Sequence, residues 1–99
     1  MIADISIQKA ILALKNNPEI RLVDVRSAEE YKQGHIKGSI NIPVSDINFI
    51  TKQIPNRSTT IFVCCKTGSR ATQAKQTLTA MGYTNVINIG SINGWKLTM

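Results

Sequence analysis

After Asp46 the chain carries no acidic residue: all six aspartates and glutamates lie in residues 1–46 beside six basic ones, whereas 47–99 hold six basic residues and none acidic. The whole of the formal charge of +6 therefore belongs to the second half. A field of that sign favours anionic ligands or acidic partner surfaces, and it says nothing about fold. Aromatic residues are also scarce, five in 99. The basic residues Lys52, Arg57, Lys66, Arg70, Lys75 and Lys96 are scattered along the second half. With few rings to stack bases and no basic stripe to track phosphates, the pattern argues against nucleic acid as a partner.

Cysteine and histidine are equally sparse. Cys64 and Cys65 are adjacent, so they offer neither a metal-ligand spacing nor a disulfide framework. With His35 as the only histidine, a zinc site has too few ligands to draw on. No metal and no other cofactor is called for. No apolar run approaches the roughly 20 residues that span a bilayer, and Met1-Ile2-Ala3-Asp4 lacks the basic and apolar regions of a signal peptide. The expectation is a soluble, cytoplasmic protein with no membrane partner. At 99 residues and 42% hydrophobic content the chain reads as one globular domain, 1–99, with no linker, repeat or low-complexity stretch.

Short periodic segments run the length of the chain. Ile7, Ala10, Ile11 and Leu14 recur at helical spacing after a cap at Ser6, and Asn16-Asn17-Pro18 ends that helix. Ile20 to Val25 read as a buried strand. Ser27-Ala28-Glu29-Glu30 has capping-box spacing and opens a short helix to about Gly34. A brief strand from Ser39 to Ile42 stops at Pro43, and Ile47, Ile50 and Ile54 space a second amphipathic helix closed by Pro55. Thr60-Ile61-Phe62-Val63-Cys64 is the continuous β-prone run of a central parallel strand covered on both faces. Ala71, Ala74, Leu78 and Met81 stripe a helix from about Arg70 to a cap at Gly82, and a last strand falls near Val86 to Ile89. Alternating strands and helices imply an α/β fold, a central parallel sheet with helices on both faces. Such sheets bind ligands beyond the carboxyl ends of their strands.

That rule singles out Cys65-Lys66-Thr67-Gly68-Ser69-Arg70, between the end of the central strand and the start of a helix. Backbone N–H groups of a short loop containing Gly68 can converge on one point, and the helix dipole adds partial positive charge there. Lys66 and Arg70 add full charges. All three influences favour a thiolate, the nucleophilic form of cysteine. The same cradle would hold a persulfide, which is also an anion. Gly68 allows a positive φ or a close approach to the sulfur with no Cβ in the way. The plainer alternative is a strand-to-helix turn at Thr67-Gly68-Ser69 with Cys65 a packed thiol.

The residues resemble the rhodanese family in three places. The first is Leu22-Val23-Asp24-Val25-Arg26 with Glu30-Tyr31, Gly34-His35-Ile36 and Gly38-Ser39-Ile40-Asn41-Ile42-Pro43; the second is the loop Cys65 to Arg70; the third is Gly90-Ser91-Ile92-Asn93-Gly94-Trp95. The likeness is to single-domain bacterial members. It implies a small parallel α/β domain in which Cys65 accepts sulfur from a small anionic donor such as thiosulfate and passes it to cyanide, a thiol or a protein. Lys66, Thr67, Gly68, Ser69 and Arg70 would form the substrate-binding cradle. Two features depart from the family: Gly90-Ser91 replaces a common Gly-Gly pair, and the chain runs only four residues past Trp95.

Other candidates read more plainly. His35 could serve as a general base, but a structural hydrogen bond fits its place far from the loop. Asp24 and Arg26 read as an internal ion pair bracing the Ser27 helix. Glu29 and Glu30, adjacent on a helix and so not facing each other, are assigned to capping and solvent, and Trp95 to the core. Three function classes follow. One is a sulfurtransferase working through a Cys65 persulfide with ping-pong kinetics. Another is a phosphatase or arsenate reductase, because Cys64 to Arg70 fits Cys-x5-Arg, although Val63 stands where phosphatases usually carry histidine. The third is a non-catalytic carrier that receives persulfide from a partner.

Overall fold

A computed structural model describes residues 3–99. Its centre is a four-stranded, all-parallel sheet in the order β3-β1-β4-β5, built from β1 (Arg21–Asp24), β3 (Ile40–Asn41), β4 (Ile61–Cys65) and β5 (Val86–Ser91). Helix α1 (Ile7–Asn16) precedes β1, and Ser6 caps it by accepting from the Lys9 N–H. α2 (Ala28–Gln33) follows β1 behind a complete capping box between Ser27 and Glu30. α3 (Ile50–Gln53) and α4 (Ser69–Ala80) flank β4 in the chain. A separate antiparallel pair joins β2 (His35–Ile36) to β6 (Leu97–Thr98).

All five residues of β4 are buried, as a strand covered on both faces requires. Alternation divides their side chains between two cores. Ile61, Val63 and Cys65 join Val23, Ala71, Ala74 and Leu78 on the α4 side, and Phe62 and Cys64 join Ala10, Leu22 and Ile89 on the α1 side. Helices therefore cover both faces of the sheet, as the alternating pattern implies.

Two elements differ from the periodicity. The segment expected as one helix around Ile47 to Ile54 begins as a 3-10 helix, Val44–Phe49, and turns α-helical only at Ile50. The spacing explains this: Ile47 and Ile50 lie three apart, matching 3.0 residues per turn, and Ile50 and Ile54 lie four apart. The Asp46 N–H bond to the Pro43 carbonyl at 2.7 Å starts the tighter turn. The last strand runs two residues past Ile89 to Ser91, because a bulge opposite Val63 and Cys64 inserts Ile89 between Asn88 and Gly90. Gly90 sits there at φ +80°, where a side chain would meet the Ala3 Cβ at 2.9 Å.

Candidate active site

Cys65 is the last residue of β4 and has no exposed surface. Its Sγ lies under the N-terminus of α4, where the Gly68 N–H donates to it at 2.8 Å and the Ala71 N–H at 3.4 Å. Gly68 occupies the left-handed region at φ 93°, which lets the loop fold back over the sulfur. Lys66, Thr67 and Ser69 are exposed around it, with the Thr67 and Ser69 hydroxyls 3.3 Å apart. The loop thus brings backbone donors and a helix N-terminus together over one sulfur, with Lys66 exposed in the same loop, an arrangement suited to an anion.

Cys64 points into the opposite core, away from these donors. Burial pushes its thiol up beyond the ordinary range, and the neighbouring Asp24 charge adds to the rise. The Cys-x5-Arg register would therefore place its nucleophile on the wrong face of the sheet.

Arg70 is engaged from outside the loop. Its Nη1 and Nη2 donate to Glu30 Oε1 and Oε2 at 2.6 and 3.0 Å, a two-pronged pair that ties α4 to α2. Arg70's hydrogen bonds hold the Glu30 carboxyl down to about 2, against the upward pull of partial burial and with help from the Ser27 amide. Glu30 thus does more than the capping and solvent contact assigned to it. Its own backbone carbonyl accepts from Arg26 Nη1 at 3.3 Å. Arg26 is otherwise spent on Asp24, with Nη2 to Oδ2 at 2.7 Å, and on the Gly34 carbonyl at 2.7 Å, so this pair braces the α2 segment from within.

Residues from β5 and α4 hold the loop from behind. Thr72 Oγ1 donates to the Gly68 carbonyl at 3.0 Å and accepts from Asn88 Nδ2 at 3.1 Å. Asn88 Oδ1 in turn accepts from the Gly90 N–H across the bulge at 2.7 Å. Ser91 Oγ donates to the Lys66 carbonyl. None of Thr72, Asn88 or Ser91 stands out in the sequence as a site residue; the departure at Gly90-Ser91 was the one available signal, and it points to Ser91.

His35 stays away from the loop, its Nδ1 2.8 Å from the Tyr31 carbonyl and its ring stacked on Tyr31. Trp95 packs against the α1-side core, and its buried Nε1 has no partner among the described residues. Beside the loop lies a cleft of about 200 Å³ walled by Lys66, Asn93, Ile92, Glu30, Arg26 and Gly34, among others. A larger cleft, about 470 Å³, lies along α4 and contains neither cysteine nor any residue of the loop. Among the described residues no cluster of His, Cys, Asp or Glu could hold a metal ion, and no helix is long and apolar enough to cross a membrane.

Residues 8–98 match the family of rhodanese-like domains, and the chain belongs to that family. It is 41% identical over 71 residues to the thiosulfate sulfurtransferase PspE of Escherichia coli, covering 71% of this chain and 68% of that one. It is 28% identical over 88 residues to the putative sulfur carrier protein YrkF of Bacillus subtilis, covering 89% of this chain and 47% of that one. Among solved structures, the human single-domain sulfurtransferase TSTD1 superposes with a TM-score of 0.80 at 30% identity over 92% of each chain.

Proposed function

We propose that the protein is a sulfurtransferase that moves sulfane sulfur from thiosulfate or a related anionic donor to a thiol, cyanide or protein acceptor through a persulfide on Cys65. The observation that carries this reading is Cys65 Sγ held under the Gly68 and Ala71 amides within a basic loop. In the first half-reaction the Cys65 thiolate attacks the sulfane sulfur. A bond forms from Sγ to that sulfur, the S–S bond of thiosulfate breaks, and sulfite leaves with the bonding pair. In the second, the acceptor attacks the terminal sulfur and the Cys65 thiolate departs. Cyanide becomes thiocyanate, and a thiol becomes a persulfide. Neither step needs an outside oxidant.

Lys66 draws the anionic donor, and the loop N–H groups hold the charge as it moves from Sγ to the terminal sulfur. Arg70 shapes the cradle through Glu30. Because Sγ is fully buried, the terminal sulfur of a persulfide is the part that an acceptor reaches, and the cleft beside Lys66 gives a small acceptor a place to approach. Residues 1–99 act in this reading as one unit, supported by the family match over 8–98. Its setting is the cytoplasm, where two free thiols stay reduced; cell fractionation checks the placement.

Steady-state kinetics with thiosulfate and cyanide test the mechanism. A covalent sulfur intermediate gives parallel double-reciprocal lines, and converging lines would contradict it. A second reading, a carrier that receives sulfur from a protein, is favoured by the likeness to a relative named as a putative sulfur carrier. Fast loading by a desulfurase persulfide with no turnover of thiosulfate would select it.

A further inference from the structure

Ser91 ends β5 at the position where the family commonly has the second glycine of a pair. Along a strand, successive carbonyls alternate between the two neighbouring strands. β4 obeys this up to its last residue. The Cys64 carbonyl accepts from the Val25 N–H on the β1 side at 3.0 Å, and the Cys65 carbonyl accepts from the Ile92 N–H on the β5 side at 2.8 Å. The Lys66 carbonyl is next in line for the β1 side. Ser91 Oγ donates to it from the β5 side instead, while the same oxygen accepts from the Asn93 N–H at 2.9 Å and is thereby fixed.

The peptide units here are trans, so each N–H points opposite to the carbonyl of its own unit. Two consecutive carbonyls drawn toward β5 leave the Lys66 and Thr67 N–H groups both facing away from it. They run directly into the Gly68 N–H, which already donates to Cys65 Sγ at 2.8 Å. Consecutive N–H groups facing one way make an anion-binding nest. We propose that Ser91 is a positioning residue for sulfur transfer: by holding the Lys66 carbonyl it turns the Thr67 N–H into the cradle, where that group donates to the terminal sulfur of the Cys65 persulfide. The inference rests on the persulfide reading above.

Two measurements test it. In Ser91→Ala the Thr67 donor is free to turn away, so kcat for sulfur transfer should fall by about 10-fold, the scale of one hydrogen bond to a charged group. KM for thiosulfate, set by Lys66 and the field of the second half, should change little, and Ser91→Thr, which keeps the hydroxyl, should restore kcat. In the wild-type protein, independent of how any variant folds, loading with thiosulfate should move the Thr67 amide proton downfield in a two-dimensional NMR spectrum. Sulfur uptake with an unmoved Thr67 amide, or full kcat in Ser91→Ala, would overturn the role of Ser91 alone. No sulfur uptake by the wild type would overturn the persulfide reading together with it.

Discussion

Replacing Glu30 by Gln removes the charge from the pair that ties α2 to Arg70 at the end of the Cys65 loop and leaves the helix cap in place. The cap needs only an acceptor at Oε1 for the Ser27 N–H, which lies 3.0 Å away, and glutamine supplies one. What is lost is the ionic half of a two-pronged contact whose side chains are 33% and 30% exposed. At that exposure solvent screens the pair, so its net contribution is about 0.5–1 kcal/mol, or roughly 2–8 °C of Tm for a domain of this size. The pH dependence carries the sharper test. The Glu30 carboxyl is depressed from 4.5 to about 2 by Arg70, so the stabilisation is fully present above the unfolded value and is lost as pH falls through the folded one. Thermal melts from neutral pH downward should therefore show a constant gap between wild type and Glu30→Gln that closes between about 4.5 and 2. A gap that persists unchanged to the bottom of that window, or no gap at neutral pH, would refute the argument that the Arg70 contact is ionic and stabilising.

Arg70→Ala frees the loop from α2 and should lower sulfur transfer by about 10-fold or more. Arg70→Lys should recover only part, because a point charge cannot grip both carboxylate oxygens; full activity of Arg70→Ala in a thiosulfate and cyanide assay would remove Arg70 from the site. Lys66 is exposed and forms no salt bridge among the described residues, so KM for thiosulfate should rise with ionic strength and rise strongly in Lys66→Glu. Indifference to both would end the steering argument. Cys64→Ala should retain most of the activity while losing about 1 kcal/mol, the scale of one buried methyl, seen as roughly 4–8 °C in a thermal melt.

The centre of the site is legible in the sequence because it is contiguous. An unbroken apolar run ending in Cys65, then a glycine, then a helical stripe describe a strand, a turn and a helix, and alternation alone sends Cys64 and Cys65 to opposite faces. The capping box at Ser27 is legible for the same reason. What holds the loop is not, because it comes from elsewhere in the chain. The Glu30 contact to Arg70 spans 40 positions and depends on how α2 is carried against the sheet by the buried Asp24 and Arg26 pair. Ser91 reaches the loop only because a bulge shifts the end of β5 by one residue, and the bond between Thr72 and Asn88 joins two different elements 16 positions apart. β2 and β6, two residues each, are too short to show any period.

Intact mass after incubation with thiosulfate is the most direct test of the assignment to Cys65. The wild type and Cys64→Ala should each gain the mass of one sulfur atom, removable by a thiol reductant, and Cys65→Ser should gain none. Hydrolysis of an aryl phosphate should be absent in all three. Sulfur uptake that survives Cys65→Ser, or phosphate hydrolysis that survives Cys65→Ser and disappears in Cys64→Ala, would contradict the account.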